Sequence, residues 1–164
     1  MPFLRQLTVA AVLITLTLSL QSLGIAGFVV WVRAYFAKNT SRLGLVRCAD
    51  LMVRVTHAMV TLQLFEIVLW AGFYRWKCFP SWDAALYFSA TSYSTVGYGD
   101  LILPSTWRFL GPSESITGVL MCGLSVSGLF AIVTRLVRHE ERFLPPLPAL
   151  SNPRDSEQEA FTSA

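Results

Sequence analysis

The sequence predicts an all-α membrane protein with three transmembrane helices and one shorter, re-entrant helix. Composition is the first indication, because 54% of the 164 residues are hydrophobic and only 14% are charged, whereas soluble domains carry about a quarter charged residues. The apolar residues are concentrated in three long runs, at 7–32, 50–74 and 115–137, which is typical of membrane spans. A fourth segment, 82–94, is about 20 Å long as a helix and too short to cross a bilayer.

The first run, 7–32, is long enough to cross the roughly 30 Å hydrocarbon core of a membrane. A cleaved signal peptide is the alternative, but the apolar run continues well past the candidate cleavage site at 24–26. The connector 33–49 contains basic residues and no acidic ones, as expected of a cytoplasmic loop. We therefore expect residues 1–49 to form an N-terminal transmembrane helix followed by a basic cytoplasmic connector.

The second run, 50–74, begins with a favourable helical pair, since Asp50 lies four residues before Arg54. We expect the aromatic residues at its far end to anchor the helix at the membrane interface; these are Trp70, Phe73, Tyr74 and Trp76. Glu66 lies inside the run. An acid at that depth is costly unless it faces protein, so Glu66 is a candidate functional or structural residue.

Segment 82–94 starts with good helix signals, because Ser81 suits the N-cap position and Asp83 suits the first turn. Since it cannot span the membrane, it must be re-entrant and surrounded by protein. We expect a loop at 101–113, broken by Pro104, Gly111 and Pro112, before the last span at 115–137. The tail, 143–164, is rich in proline, serine and acidic residues and is predicted to be disordered.

The loop after the re-entrant segment carries the most informative motif. Residues 95–100 read Thr-Val-Gly-Tyr-Gly-Asp, which resembles the TVGYG selectivity filter of potassium channels. Gly97 and Gly99 can adopt positive φ without steric cost. The backbone can therefore turn successive carbonyls to one side, where they replace the hydration shell of a cation. One chain supplies a quarter of each oxygen ring, so a homotetramer is expected.

The resemblance extends over residues 66–137, which are similar to the two-helix pore module of potassium channels. It implies a pore module at 50–142, with K⁺ coordinated by the backbone carbonyls of Thr95, Val96, Gly97 and Tyr98 and by the Thr95 hydroxyl. Residues 85–89, the filter loop and 107–121 further resemble small bacterial ion-channel-domain proteins with an extra N-terminal helix. The resemblance also places Gly123 where the inner-helix gating hinge falls; close helix packing is the alternative explanation for this glycine.

One departure from the family concerns the support of the filter, to which Gly99 and Asp100 belong. In several simple bacterial potassium channels an acid four residues before the filter threonine contacts the filter aspartate. Thr91 occupies that position here, so Asp100 must be supported differently, and Tyr87 is one candidate donor. We hypothesise that Glu66 reaches the hydroxyls of 91–94 and braces the filter instead. Packing of Glu66 without a special role is the alternative.

The sequence thus indicates a potassium-selective channel subunit in a cell membrane, multi-pass, with the filter mouth and N-terminus outside and the C-terminus cytoplasmic. A weakly selective cation channel and a non-conducting subunit that modulates a partner channel are the alternatives. An enzyme is not expected, because no catalytic constellation is present. Permeant K⁺ is the only small-molecule substrate expected, with no cofactor. The scattered cysteines and small net charge suggest neither a metal site nor a nucleic-acid partner.

Overall fold

The computed structural model describes residues 2–38 and 45–141, and within those ranges it contains helices and no strands. The four helices, in chain order, are α1 (Pro2–Lys38), α2 (Leu45–Lys77), α3 (Trp82–Tyr93) and α4 (Leu110–Glu141). Three of them are long and apolar enough to cross a membrane, over Phe3–Tyr35, Val46–Lys77 and Leu110–Arg138. The predicted all-α membrane architecture is confirmed. The predicted tail lies outside the described residues.

The spanning helices are longer than the apolar runs that predicted them. α1 continues to Lys38 and α2 starts at Leu45, so much of the predicted connector 33–49 is helical. Arginine and lysine are good helix formers, and a helix need not end where its apolar stretch ends. The Asp50–Arg54 pair is present at 2.9 Å on the exposed first turns of α2.

The start of α4 also differs from the prediction. The helix begins at Leu110, so the loop expected to run to residue 113 ends earlier. Gly111 and Pro112 lie in the first helical turn instead of breaking the chain. Proline is tolerated there because the first backbone N–H groups of a helix have no intrahelical acceptor in any case.

One of two hydrophobic clusters lies around the short helix α3 and the adjoining ends of the spanning helices, and the other joins the far ends of α1, α2 and α4. Trp70 and Tyr74 of α2 are fully buried in the first cluster, together with Ala85 of α3 and Leu110 of α4. The prediction that these two aromatic residues anchor the helix at the lipid interface is therefore wrong, although Trp76 is exposed. Their ring edges pack against other aromatic side chains, as in the Tyr74–Phe88 pair with centroids 5.1 Å apart.

Polar contacts at membrane depth attach α1 to the other helices. The Trp70 ring N–H donates to the Thr17 hydroxyl at 3.0 Å. One turn further along α1, the buried Gln21 amide donates to the Ser125 hydroxyl of α4 at 3.0 Å and to the Met121 carbonyl at 3.3 Å. Because water is scarce at this depth, such side chains find partners on neighbouring helices.

α3 is held between α2 and α4, which fixes the loop that follows it. The Ser81 hydroxyl accepts a hydrogen bond from the Ala84 amide and caps the helix, as predicted. On the α4 side, the Gly118 backbone comes so close that an added Cβ would lie 2.1 Å from the Tyr93 carbonyl oxygen. Only glycine allows this approach, which brings the two helix backbones together directly behind residues 95–100.

Candidate functional site

The filter loop, 95–100, alternates its backbone conformation. Thr95, Gly97 and Gly99 have φ values of 62°, 53° and 81°, whereas Val96 and Tyr98 do not have positive φ. Positive φ was expected for the two glycines. At Thr95 it was not, because a β-branched residue in this region is strained. Alternation of this kind allows successive carbonyls to turn to the same side instead of to opposite sides as in a strand.

Backbone hydrogen bonds to the end of α3 hold this conformation. The Thr95 amide donates to the Ser92 carbonyl at 3.0 Å, and the Gly97 amide donates to the Thr91 carbonyl at 3.1 Å. The loop is therefore attached to the carboxyl end of α3, where the helix dipole is negative. A cation near this end of the helix is favoured electrostatically.

Tyr87, the candidate donor to Asp100, and Thr91, which occupies the position of the usual acid, make different hydrogen bonds. Hydrogen bonding to the Asp100 carboxylate raises the pKa of the Tyr87 hydroxyl, which places Tyr87 where the sequence suggested a donor. The Thr91 hydroxyl donates to the Phe88 carbonyl in its own helix at 3.0 Å. Thr91 thus satisfies its hydroxyl locally, as short polar side chains in helices often do.

Glu66 lies fully buried against the end of α3. Its Oε2 accepts a hydrogen bond from the Tyr93 hydroxyl, and Tyr93 is within the 91–94 stretch that the sequence proposed as its partner. The contact is to this phenol, since the Ser94 hydroxyl donates to the Ala90 carbonyl at 2.7 Å. Glu66 Oε1 has no hydrogen-bond partner in the part of the chain that the structure describes.

A second buried acid, Glu114 near the start of α4, packs against the face of α3 that Glu66 also contacts. Its Oε2 accepts a hydrogen bond from the Tyr74 hydroxyl at 2.8 Å, and its Oε1 lies 2.5 Å from the Ser89 hydroxyl oxygen. The neighbouring Ser115 hydroxyl donates to the Ser92 carbonyl at 2.7 Å. Sequence reasoning assigned no role to Glu114 or Ser115. An acid at the edge of an apolar run was the available signal, and the rule applied to Glu66 also applies here.

In a single chain the filter loop is uncovered. The Val96 and Tyr98 side chains are 52% and 73% exposed. A cavity of about 430 Å³ opens beside the loop, between the end of α3 and the start of α4. Gly123 lies further along α4 from the filter loop, and an added Cβ there would meet no atom within 4 Å. Large apolar side chains exposed side by side mark an interaction surface.

Comparison with protein families identifies the kind of domain that the central part of the chain forms. Residues 59–135 match the model of the ion channel family. They form an ion-channel domain. The match includes most of α2, all of α3, the filter loop and most of α4. Comparisons with curated proteins and with solved structures gave no match.

The ion-channel domain contains both buried acids and the filter loop, whereas α1 lies before it. With three apolar helices and this domain, the chain is a multi-pass membrane protein. Within residues 2–38 and 45–141, no group of three His, Cys, Asp or Glu side chains is arranged to hold a metal ion.

Proposed function

We propose that this protein is the subunit of a potassium-selective channel. The observation that carries the proposal is the Thr-Val-Gly-Tyr-Gly-Asp loop with positive φ at alternate residues. In such a loop the carbonyls of Thr95, Val96, Gly97 and Tyr98, with the Thr95 hydroxyl, replace the hydration shell of K⁺. Gly99 and Asp100 complete the outer end, and the Tyr87 hydroxyl supports Asp100.

Four copies of the chain form the pore. One loop supplies one oxygen to each ring, and a closed ring of four needs fourfold symmetry. The exposure of Val96 and Tyr98 supports this assembly, because neighbouring copies would cover those side chains. The pore module comprises 50–142, with 1–49 as an additional N-terminal helix and connector and 143–164 as a cytoplasmic tail.

The filter mouth and the N-terminus face the outside of the cell membrane. The guanidinium of Arg5 lies 5.1 Å from the centre of the Trp107 ring, which supports a common side for the N-terminus and the loop after the filter. In the sequence, the segments assigned to the opposite side contain the larger number of basic residues, as cytoplasmic segments do; these are Arg33, Lys38, Arg42, Arg47, Arg135, Arg138 and Arg142.

Purified protein in liposomes tests the conduction and the selectivity. We expect a barium-sensitive K⁺ flux and a bi-ionic reversal potential that strongly favours K⁺ over Na⁺. A Gly97→Ala variant is the matched control, because alanine is strained at φ 53°, and it should abolish the flux. Equal permeability to both ions would favour a weakly selective cation channel. No flux from the wild-type protein would favour a non-conducting subunit.

Glu66 braces the filter through the hydroxyl of Tyr93. The Tyr93 side chain lies two residues before Thr95, so its fixation positions the end of α3 from which the filter loop starts. We expect Glu66→Gln and Tyr93→Phe channels to inactivate faster or to lose selectivity by similar factors. Unchanged inactivation and selectivity in both variants would reduce Glu66 to a packing residue. Gly123, which has free space around it, is the proposed hinge of α4.

A further inference from the structure

The surroundings of Glu114 constrain which atoms carry protons. Three hydroxyl and carboxyl groups from three helices meet in a fully buried position: Tyr74 of α2, Ser89 of α3 and Glu114 of α4. The Ser89 hydroxyl oxygen has a second close neighbour besides Glu114, the Ile67 carbonyl oxygen at 2.9 Å. A backbone carbonyl is only an acceptor, so any hydrogen bond to it must use the proton of Ser89.

The serine hydroxyl has one proton and two oxygen neighbours. If Ser89 donates that proton to Ile67, an ionised Glu114 would face the serine oxygen at 2.5 Å with no proton between two acceptors. If Ser89 donates to Glu114, the Ile67 carbonyl loses this partner. A protonated Glu114 removes the conflict. Glu114 then donates to Ser89, Ser89 donates to Ile67, and Tyr74 donates to the other carboxyl oxygen.

We propose that Glu114 is a neutral carboxylic acid that acts as a positioning residue for the filter. Its carboxyl group accepts a hydrogen bond from the Tyr74 hydroxyl of α2 and donates one to the Ser89 hydroxyl of α3. It therefore joins both helices to α4. A buried neutral acid with all its hydrogen bonds made avoids the cost of an isolated charge in the membrane. The arrangement needs one donor and one acceptor at position 114, which a carboxylic acid and a primary amide both provide.

Glu114 and Glu66 hold α3 at consecutive turns. Ser89 and Tyr93 are four residues apart and therefore lie on the same face of the helix. Glu114 contacts the first of them and Glu66 the second. Displacement of α3 at Ser89 would move the backbone acceptors of the filter loop, the carbonyls of Thr91 and Ser92. This inference rests on the proposed function, because its consequence is read in the filter.

Difference infrared spectroscopy tests the protonation state of Glu114 and does not require the protein to conduct K⁺. We expect the wild-type protein minus Glu114→Gln to show the carbonyl stretch of a protonated carboxylic acid at neutral pH. A carboxylate band in its place would overturn the proposal. The result is independent of whether the wild-type protein conducts K⁺, so failure of the proposed function and failure of this inference are distinguishable.

The positioning role is tested by the K⁺/Na⁺ permeability ratio, which is measured in liposomes for variants purified in the same detergent. We expect Glu114→Ala to lower the ratio about tenfold, because Tyr74 and Ser89 both lose their buried hydrogen-bond partner, and Glu114→Gln to restore most of it. Ser89→Ala should resemble Glu114→Ala, and it replaces that variant in the comparison if Glu114→Ala does not assemble. A permeability ratio for Glu114→Gln as low as that of Glu114→Ala would overturn the proposal.

A buried hydroxyl on the same helix provides the control. Thr117 donates to the Ser113 carbonyl at 2.7 Å, so its hydroxyl bonds within its own helix. Thr117→Val should leave the permeability ratio at the wild-type value. A tenfold fall in this variant as well would mean that the ratio reports disturbed packing in α4, and the positioning role of Glu114 would be refuted.

Discussion

Gly118 is the residue at which α4 comes closest to the backbone of α3. An added Cβ would lie 2.1 Å from the Tyr93 carbonyl oxygen, a backbone atom that cannot turn aside as a flexible side chain can. We expect Gly118→Ala to separate the two helices and to destabilise the protein by about 1–3 kcal/mol, as overpacking of a tight contact does. Thermal unfolding of the purified protein in detergent measures the effect.

Gly128 is the matched control for this substitution. It lies on the same helix, and an added Cβ would be at an ordinary 3.5 Å from the Met59 methyl group. Alanine is a better helix former than glycine by about 0.8–1.0 kcal/mol, so Gly128→Ala should leave stability unchanged or raise it. Equal destabilisation by both variants would show that the contact with Tyr93 does not limit the packing.

Of the two buried acids, one was predicted from the sequence and the other was not. Glu66 was recognised because it lies deep inside an apolar run, where an acid must face protein. Glu114 satisfies the same condition, but it lies at the edge of a run whose helix starts earlier than expected. The partner of Glu66 was predicted only as a short stretch of hydroxyl residues. Which of them it contacts depends on the rotation of α3 about its axis, a tertiary property.

At the scale of helices, the attachment of α1 depends on a few polar contacts. Gln21 donates to Ser125 and to the Met121 carbonyl of α4, and the Gln63 amide of α2 also donates to Ser125 at 3.3 Å. An interhelical hydrogen bond in a membrane contributes roughly 0.6–2 kcal/mol. We therefore expect Gln21→Leu to weaken the packing of α1 against α4 by about 1 kcal/mol, measured by unfolding in mixed detergent micelles.

Ser19 serves as the control on the same helix. Its exposed hydroxyl donates to the Thr15 carbonyl at 2.8 Å within α1, so Ser19→Ala removes a polar group without removing a contact between helices. Its stability should equal that of the wild-type protein. If Gln21→Leu unfolds like Ser19→Ala, the polar contacts do not hold α1 in place, and its apolar packing alone does.

The order and type of the helices were predictable because hydropathy and length determine them directly. Their ends were not, because a helix can continue beyond its apolar run, as α1 does to Lys38 and as α4 does by starting at Leu110. The placement of α1 was also not predictable. Nothing in the apolar pattern of 7–32 distinguishes Thr17 and Gln21, which hydrogen-bond to other helices, from Ser19, whose exposed hydroxyl bonds within its own helix.

At the scale of the whole molecule, a single chain exposes many large apolar side chains along all three spans, including Leu64, Phe65 and Phe130. Lipid accounts for exposure along the spans, since a membrane protein has no need to cover apolar surface there. The exposed residues of the filter loop have a different explanation under the proposed function, which needs a closed ring of oxygens from several copies. Oligomeric assembly is therefore a requirement of the proposed function.

Mixing of subunits tests this requirement. If one defective loop silences a ring of four, equal amounts of wild-type and Gly97→Ala protein, refolded together, should retain about one sixteenth of the wild-type K⁺ flux. Independent pores within single chains would retain about half. The same mixture prepared from the two proteins assembled separately, and combined only in the liposomes, should also retain about half, because no mixed rings form. A flux near half in the co-refolded sample would contradict the fourfold filter.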